Sequence, residues 1–148
     1  MAKAKKTKTK TKTKPKTKPK AKPKTKPATK TRAADFAPAK FQVRENGSFE
    51  IFFDIGDFDG DLEVEDAFAA ADLTGNGYDW EAVLAPALQR ADAAAFAAIE
   101  WRGSEADTFV VAAKDKAPLL ALVGVLRKVV KSDASLAAAI ALHDPERT

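Results

Sequence analysis

The sequence predicts an α+β fold: a single domain with two β-hairpins and about four helices, preceded by a disordered basic arm. Charge gives the first reason. The 148 residues carry 25 Lys+Arg and 21 Asp+Glu, a net +4, but that average conceals a division at Arg32. Residues 1–32 hold 15 of the bases and no acid, whereas Ala33 to Thr148 hold 10 bases and all 21 acids, a net −11. Hydrophobic periodicity gives the second: beyond the division, apolar residues alternate around turn residues in two places and recur at helical spacing in four. Length gives the third, since the stretch after Arg32 suffices for one core and not for two. We therefore divide the chain into residues 1–39, arm and linker, and residues 40–148, an acidic domain.

From Lys6 through Lys26 every even position is Lys, and the odd positions are Thr, Pro or Ala. Lys repulsion, Pro without an amide donor and β-branched Thr all oppose a helix, so the expected state is solvated and polyproline-II-like. At about 3.1 Å per residue it would reach on the order of 80–100 Å. Lys8, Lys10, Lys12, Lys14, Lys16, Lys18, Lys20, Lys22, Lys24 and Lys26 are candidates for non-specific nucleic-acid contact. Their side chains point in successive directions around a threefold helix, so no base-reading face forms. If about ten of them met duplex phosphates, log affinity would fall against log salt with a slope of roughly −9. A solubilising tail, a weak anchor to anionic headgroups and a partner for the chain's own acidic surface remain alternatives. In composition the arm resembles the Lys-, Pro- and Ala-rich tails of linker-histone-like proteins.

Ala33 to Ala39 reads as a short apolar linker. Phe41, Val43, Phe49, Ile51 and Phe53 then alternate around Asn46-Gly47, a hairpin signal. Phe52 interrupts the polar face, which suggests a strand covered on both sides. A turn-rich acidic loop follows from Ile55 to Asp61. Val64, Phe68 and Ala71 then mark a helix that Asp61 could cap and Thr74-Gly75-Asn76-Gly77 stops. The next helix is expected to begin at Asp79, with Trp80, Val83, Leu84, Ala87 and Leu88 on one side and Pro86 kinking or shortening it. Ala91 to Ala98 adds a turn or two. Ile99 and Trp101, then Phe109 and Val111, read as a second hairpin around Gly103 to Asp107. Asp115 with Pro118 in the first turn opens a helix whose stripe is Leu119, Leu122, Val123, Leu126 and Val130. Ser132 can cap a last helix carrying Leu136, Ile140 and Leu142, which Asp144-Pro145 ends. The order hairpin, helices, hairpin, helices suggests two similar halves.

The absent residue types exclude chemistry. Without Cys there is no disulfide, thiolate metal site or thiol nucleophile, and the cytoplasm is the expected compartment. His143, the one imidazole, has no partner that the sequence can name, which disfavours a Ser-His-Asp site or a multi-His zinc site. The basic N-terminus is followed by no apolar segment of a secretory signal. The longest apolar run, Ala117 to Leu126, is too short for a bilayer, so no membrane insertion is expected.

Asp54, Asp57, Asp59, Asp61, Glu63, Glu65 and Asp66 form the densest local feature. With Asp57 as position 1 of a calcium loop, Leu62 occupies the glycine position and Phe68 that of the bidentate Glu. With Asp72 as position 1, Val83 occupies that last place. Neither register meets the calcium-loop pattern, and no basic or His partner accompanies the acids as a metal nuclease would need. A solvated face and a surface for a basic protein partner remain open, the latter because clustered carboxylates accelerate association with cationic surfaces. Trp80, Trp101 and Phe109 read more readily as core than as ligand contacts. Ser48, Ser104, Ser132 and Ser135 fit no nucleophile elbow, and no glycine-rich phosphate loop occurs. We assign no catalytic residue, metal or cofactor, and oligomeric state is left undetermined.

At Gly75-Asn76-Gly77-Tyr78-Asp79-Trp80, and again at Glu105-Ala106-Asp107-Thr108-Phe109, the domain resembles the immunity protein 51 family of bacterial toxin systems. The likeness spans Phe41 to Leu142. It implies a cytoplasmic antidote that binds and blocks a cognate toxin domain, without catalysis. The residues it carries over are Gly77, Tyr78, Asp79 and Trp80 in the first motif and Glu105 and Phe109 in the second. The Lys-Thr-Pro arm is no part of that pattern. A nucleic-acid-associated accessory protein working through the arm is the alternative.

Overall fold

The computed structural model describes residues 31–58, 60, 62–101 and 103–147. The arm lysines, Asp59 and Asp61 therefore lie outside the described residues. Strands β1 (Lys40–Val43), β2 (Phe49–Asp54), β3 (Ile99–Glu100) and β4 (Thr108–Ala113) form one antiparallel sheet in the order β1-β2-β4-β3. Helices α1 (Val64–Ala69), α2 (Gly77–Ala91), α3 (Ala93–Ala98), α4 (Lys116–Val129) and α5 (Asp133–Ile140) complete an α+β fold. The expected hairpins are both present, but β2 pairs with β4 from Phe49↔Ala113 to Asp54↔Thr108. The two hairpins are thus joined in one continuous sheet. The pairing itself joins residues too far apart in sequence for local spacing to reveal.

The first hairpin turns where Asn46-Gly47 suggests. Gly47 takes φ +81° and its N–H donates to Arg44 O at 2.9 Å, a left-handed position that glycine fills without cost. Ile51 and Phe53 point inward and are fully buried. Phe52 lies on the other face, half-buried beneath the Lys40 ammonium, 5.8 Å from its ring centre. It stays outside the core cluster, so the double coverage expected of β2 does not occur.

Ala33 to Ala39 is more than a linker. Ala33–Phe36 forms a 3-10 turn, Phe36 is fully buried and stacked on Phe41 at 4.3 Å, and Ala39 is buried with it. Arg127 of α4 holds this segment down, donating through Nε to Ala37 O at 2.7 Å and through Nη2 to Asp35 O at 2.9 Å. The core is built by Phe53, Trp80, Leu84, Leu88, Phe109, Val111, Leu119, Leu122, Leu126 and Leu136, packed between the helices and one sheet face.

Helix boundaries depart from the sequence expectation for local reasons. α2 begins at Gly77, two residues before Asp79, because Asn76 is the cap and accepts from Asp79 N at 2.9 Å. Pro86 neither shortens nor ends the helix, which runs on to Ala91. A proline removes the donor for the carbonyl four residues back, here that of Ala82. Asp144 N supplies it instead at 2.9 Å, fastening the C-terminal segment to the middle of α2. Glu63 occupies the cap position of α1 without a side-chain bond, and its N–H donates to Asp133 Oδ1 of α5 at 2.9 Å. Ser132 caps α5 as expected, whereas Leu142 leaves the apolar stripe and is 55% exposed. Trp101 lies just past β3, half-buried, with Nε1 donating to Phe96 O at 3.1 Å.

Candidate functional site

The two short motifs, Gly77 to Trp80 and Glu105 to Phe109, meet in space. A β-carbon on Gly77 would lie 2.2 Å from the carbonyl oxygens of both Glu105 and Thr108. Only glycine lets the start of α2 rest on that loop. The positive end of the helix then faces two carbonyl oxygens, a favourable dipolar arrangement. The loop is closed on its other side by Glu105 N, which donates to Thr108 O at 2.8 Å. The Glu105 side chain is exposed.

Asp79 is buried and uses its carboxylate locally. Its Oδ2 accepts from Thr74 N, Thr74 Oγ1 and Gly75 N, each at 2.8 Å, and from Asn76 N at 3.3 Å. With Asn76 it forms a reciprocal capping box. Trp80 and Phe109 are fully buried; Phe53 stacks on Phe109 at 4.8 Å and meets the Trp80 ring edge-on at 5.3 Å. Trp80 Nε1 has no acceptor among the described residues. Tyr78 is the outward-facing residue of the run, 45% exposed.

Beside Tyr78 opens a cleft of about 550 Å³, lined by Tyr78, Glu81, Ser104, Asp144, Glu146 and Arg147. Glu81 is buried on α2, and Arg147 Nη1 reaches its Oε1 at 3.1 Å. The same guanidinium approaches Asp144 Oδ2, 3.5 Å from Nε. It also sits over the rings of Phe96 and Trp101, 5.5 and 5.6 Å from their centres, a cation–π arrangement. Ser104 is buried, and its hydroxyl accepts from Val110 N at 3.2 Å, which fixes the loop wall. Sequence reading missed Glu81, Asp144, Glu146 and Arg147. One local signal was available: Pro86 orphans the Ala82 carbonyl, so some donor must approach α2 there.

The described acids of the run have different neighbours. Asp54 and Asp57 both bind Lys40 of β1, the Asp57 pair at 3.1 Å, and Asp57 Oδ2 also accepts from Asp54 N at 3.0 Å. These hydrogen bonds to Asp54 and Asp57 raise the Lys40 pKa above its ordinary 10.5. Glu63, Glu65 and Asp66 are exposed on α1. Glu63 and Asp66 join Asp133 of α5 around a groove floored by Ala67, Ala134 and Ala137. Among the described residues, no group of three or more His, Cys, Asp or Glu is arranged to hold a metal ion, and no helix is long and apolar enough to cross a membrane. A family model described as immunity protein 51 matches residues 41–145. No curated protein and no solved structure matches the chain.

Proposed function

The chain belongs to the immunity protein 51 family, and from that premise we propose that it is an antidote that binds a cognate bacterial toxin domain in the cytoplasm and neutralises it by stoichiometric blocking. The observation that carries the reading is the extent of the match. Residues 41–145 take in every strand but the first residue of β1, and all five helices of the described fold. They also hold nearly all the acid of the net −11 region. A surface of that charge attracts a cationic partner and speeds the encounter, and it would cover a basic substrate cleft by matching the charge of what normally binds there.

Five of the seven candidate acids are described, and their surroundings differ. Glu63, Glu65 and Asp66 stand exposed on α1 and are our principal candidates for meeting the toxin; Asp54 and Asp57 share Lys40 and offer less free charge. Asp59 and Asp61, outside the described residues, complete the proposed set. The function needs no catalytic step, metal or cofactor.

The test is a titration of the purified toxin domain encoded in the adjacent reading frame. The triple variant Glu63→Lys, Glu65→Lys, Asp66→Lys should bind on the order of 100-fold more weakly than wild type at low salt, with the gap narrowing as salt screens the charges. Equal affinity for wild type and variant would remove α1 from the interface.

A further inference from the structure

Resting on the antidote reading, we propose that the Tyr78 cleft is the anchor of the toxin interface and takes a cationic side chain, lysine or arginine, from the partner. The first motif supplies the starting point. The fold consumes Gly77 in a backbone contact, Asp79 in its loop bonds and Trp80 in the core. Tyr78 has no such role: its side chain makes no hydrogen bond or ring contact with the described residues. Its ring stands 45% exposed at the rim of the cleft. A large rigid aromatic held outward at the start of a fixed helix is a side chain type that concentrates binding energy at protein interfaces, as are Trp and Arg. Arg147 lines the same cleft, and Trp101 packs against its guanidinium.

Charge selects the partner. Among the described residues the walls carry the carboxylates of Glu81, Asp144 and Glu146 and the guanidinium of Arg147, which pairs with Glu81 and Asp144 and leaves the exposed Glu146 carboxylate facing the opening. The chain already shows what the walls accommodate, because Arg147 is held there by the carboxylates of Glu81 and Asp144 and by two aromatic faces. A second cation entering beside it would meet the Tyr78 ring and the exposed Glu146 carboxylate, with Asp144 shared between it and Arg147. The walls are set in advance: Gly77 against Glu105 and Thr108, Ser104 against Val110, and Asp144 N on Ala82 O. Little ordering would then be needed on binding. The α1 groove and the cleft are joined through α5, whose eight residues span about 12 Å.

The experiment measures affinity of the full-length chain for the toxin domain encoded in the adjacent reading frame, with thermal melting of each variant as the check on folding. Tyr78→Ala should weaken binding about thirtyfold and Glu146→Lys about tenfold, while Tyr78→Phe, which keeps the ring, stays within about threefold. Val43→Ala, at an exposed position of β1 outside both surfaces, should bind like wild type. Wild-type binding that survives both Tyr78→Ala and Glu146→Lys would overturn the cleft and leave the antidote reading standing. A toxin domain that the wild-type chain does not bind would overturn both.

Discussion

Gly77→Ala tests the tightest contact between the two motifs. Its new methyl must push away the carbonyls of Glu105 and Thr108 from 2.2 Å, so the start of α2 and the loop before β4 separate. We expect a loss of about 3 kcal/mol in urea unfolding, at the upper end of overpacking costs; a loss below about 0.5 kcal/mol would mean the backbone yields freely. Lys40 gives a second residue-scale test. Its folded pKa is raised above 10.5 by Asp54 and Asp57, so its contribution to stability is complete below pH 10.5 and disappears as pH climbs through the higher folded value. Wild type should therefore lose more stability than Lys40→Met across that alkaline window, and parallel pH profiles would contradict the pairing. The residue types in the motifs were legible as local chemistry: Asn46-Gly47 as a turn and Ser132 as a cap follow from side-chain reach and φ preference alone.

At the scale of elements, what the sequence hid was tertiary. Pro86 read locally as a kink or an early end, yet α2 continues to Ala91, with Asp144 N bonding the carbonyl that Pro86 leaves without a donor. Nothing in a helical period can announce a donor more than fifty residues away. The same contact places Arg147 beside Glu81 and so builds the cleft, which no spacing rule could find. The Phe36 segment was misread for a related reason: four residues with a single aromatic show no period, and only stacking on Phe41 and the two bonds from Arg127 reveal its role. The Pro86 account makes its own prediction. Asp144, in an irregular C-terminal segment, should exchange its amide proton slowly, and Pro86→Ala, which gives Ala82 an intrahelical donor, should speed that exchange about fivefold, as loss of roughly 1 kcal/mol of hydrogen bonding implies. Unchanged exchange would mean the segment is held by its side chains alone.

For the whole molecule, the chain joins a basic stretch of +15 to a region of −11, and the family match covers the acidic part without the lysine-rich arm. Acid in the sequence located the charge of the domain but not its neighbours: Asp54 and Asp57 pair with Lys40, while Glu63 and Asp66 line a groove with Asp133. The central claim is that the folded acidic domain is itself the antidote. The most direct measurement is growth of cells in which the toxin domain from the adjacent reading frame is induced alone, with the full-length chain, and with Ala33–Thr148. The account predicts arrest in the first case and restored growth in both others, with the truncated domain recovered in complex with the toxin. Arrest that persists with both forms present, folded and soluble, would contradict it.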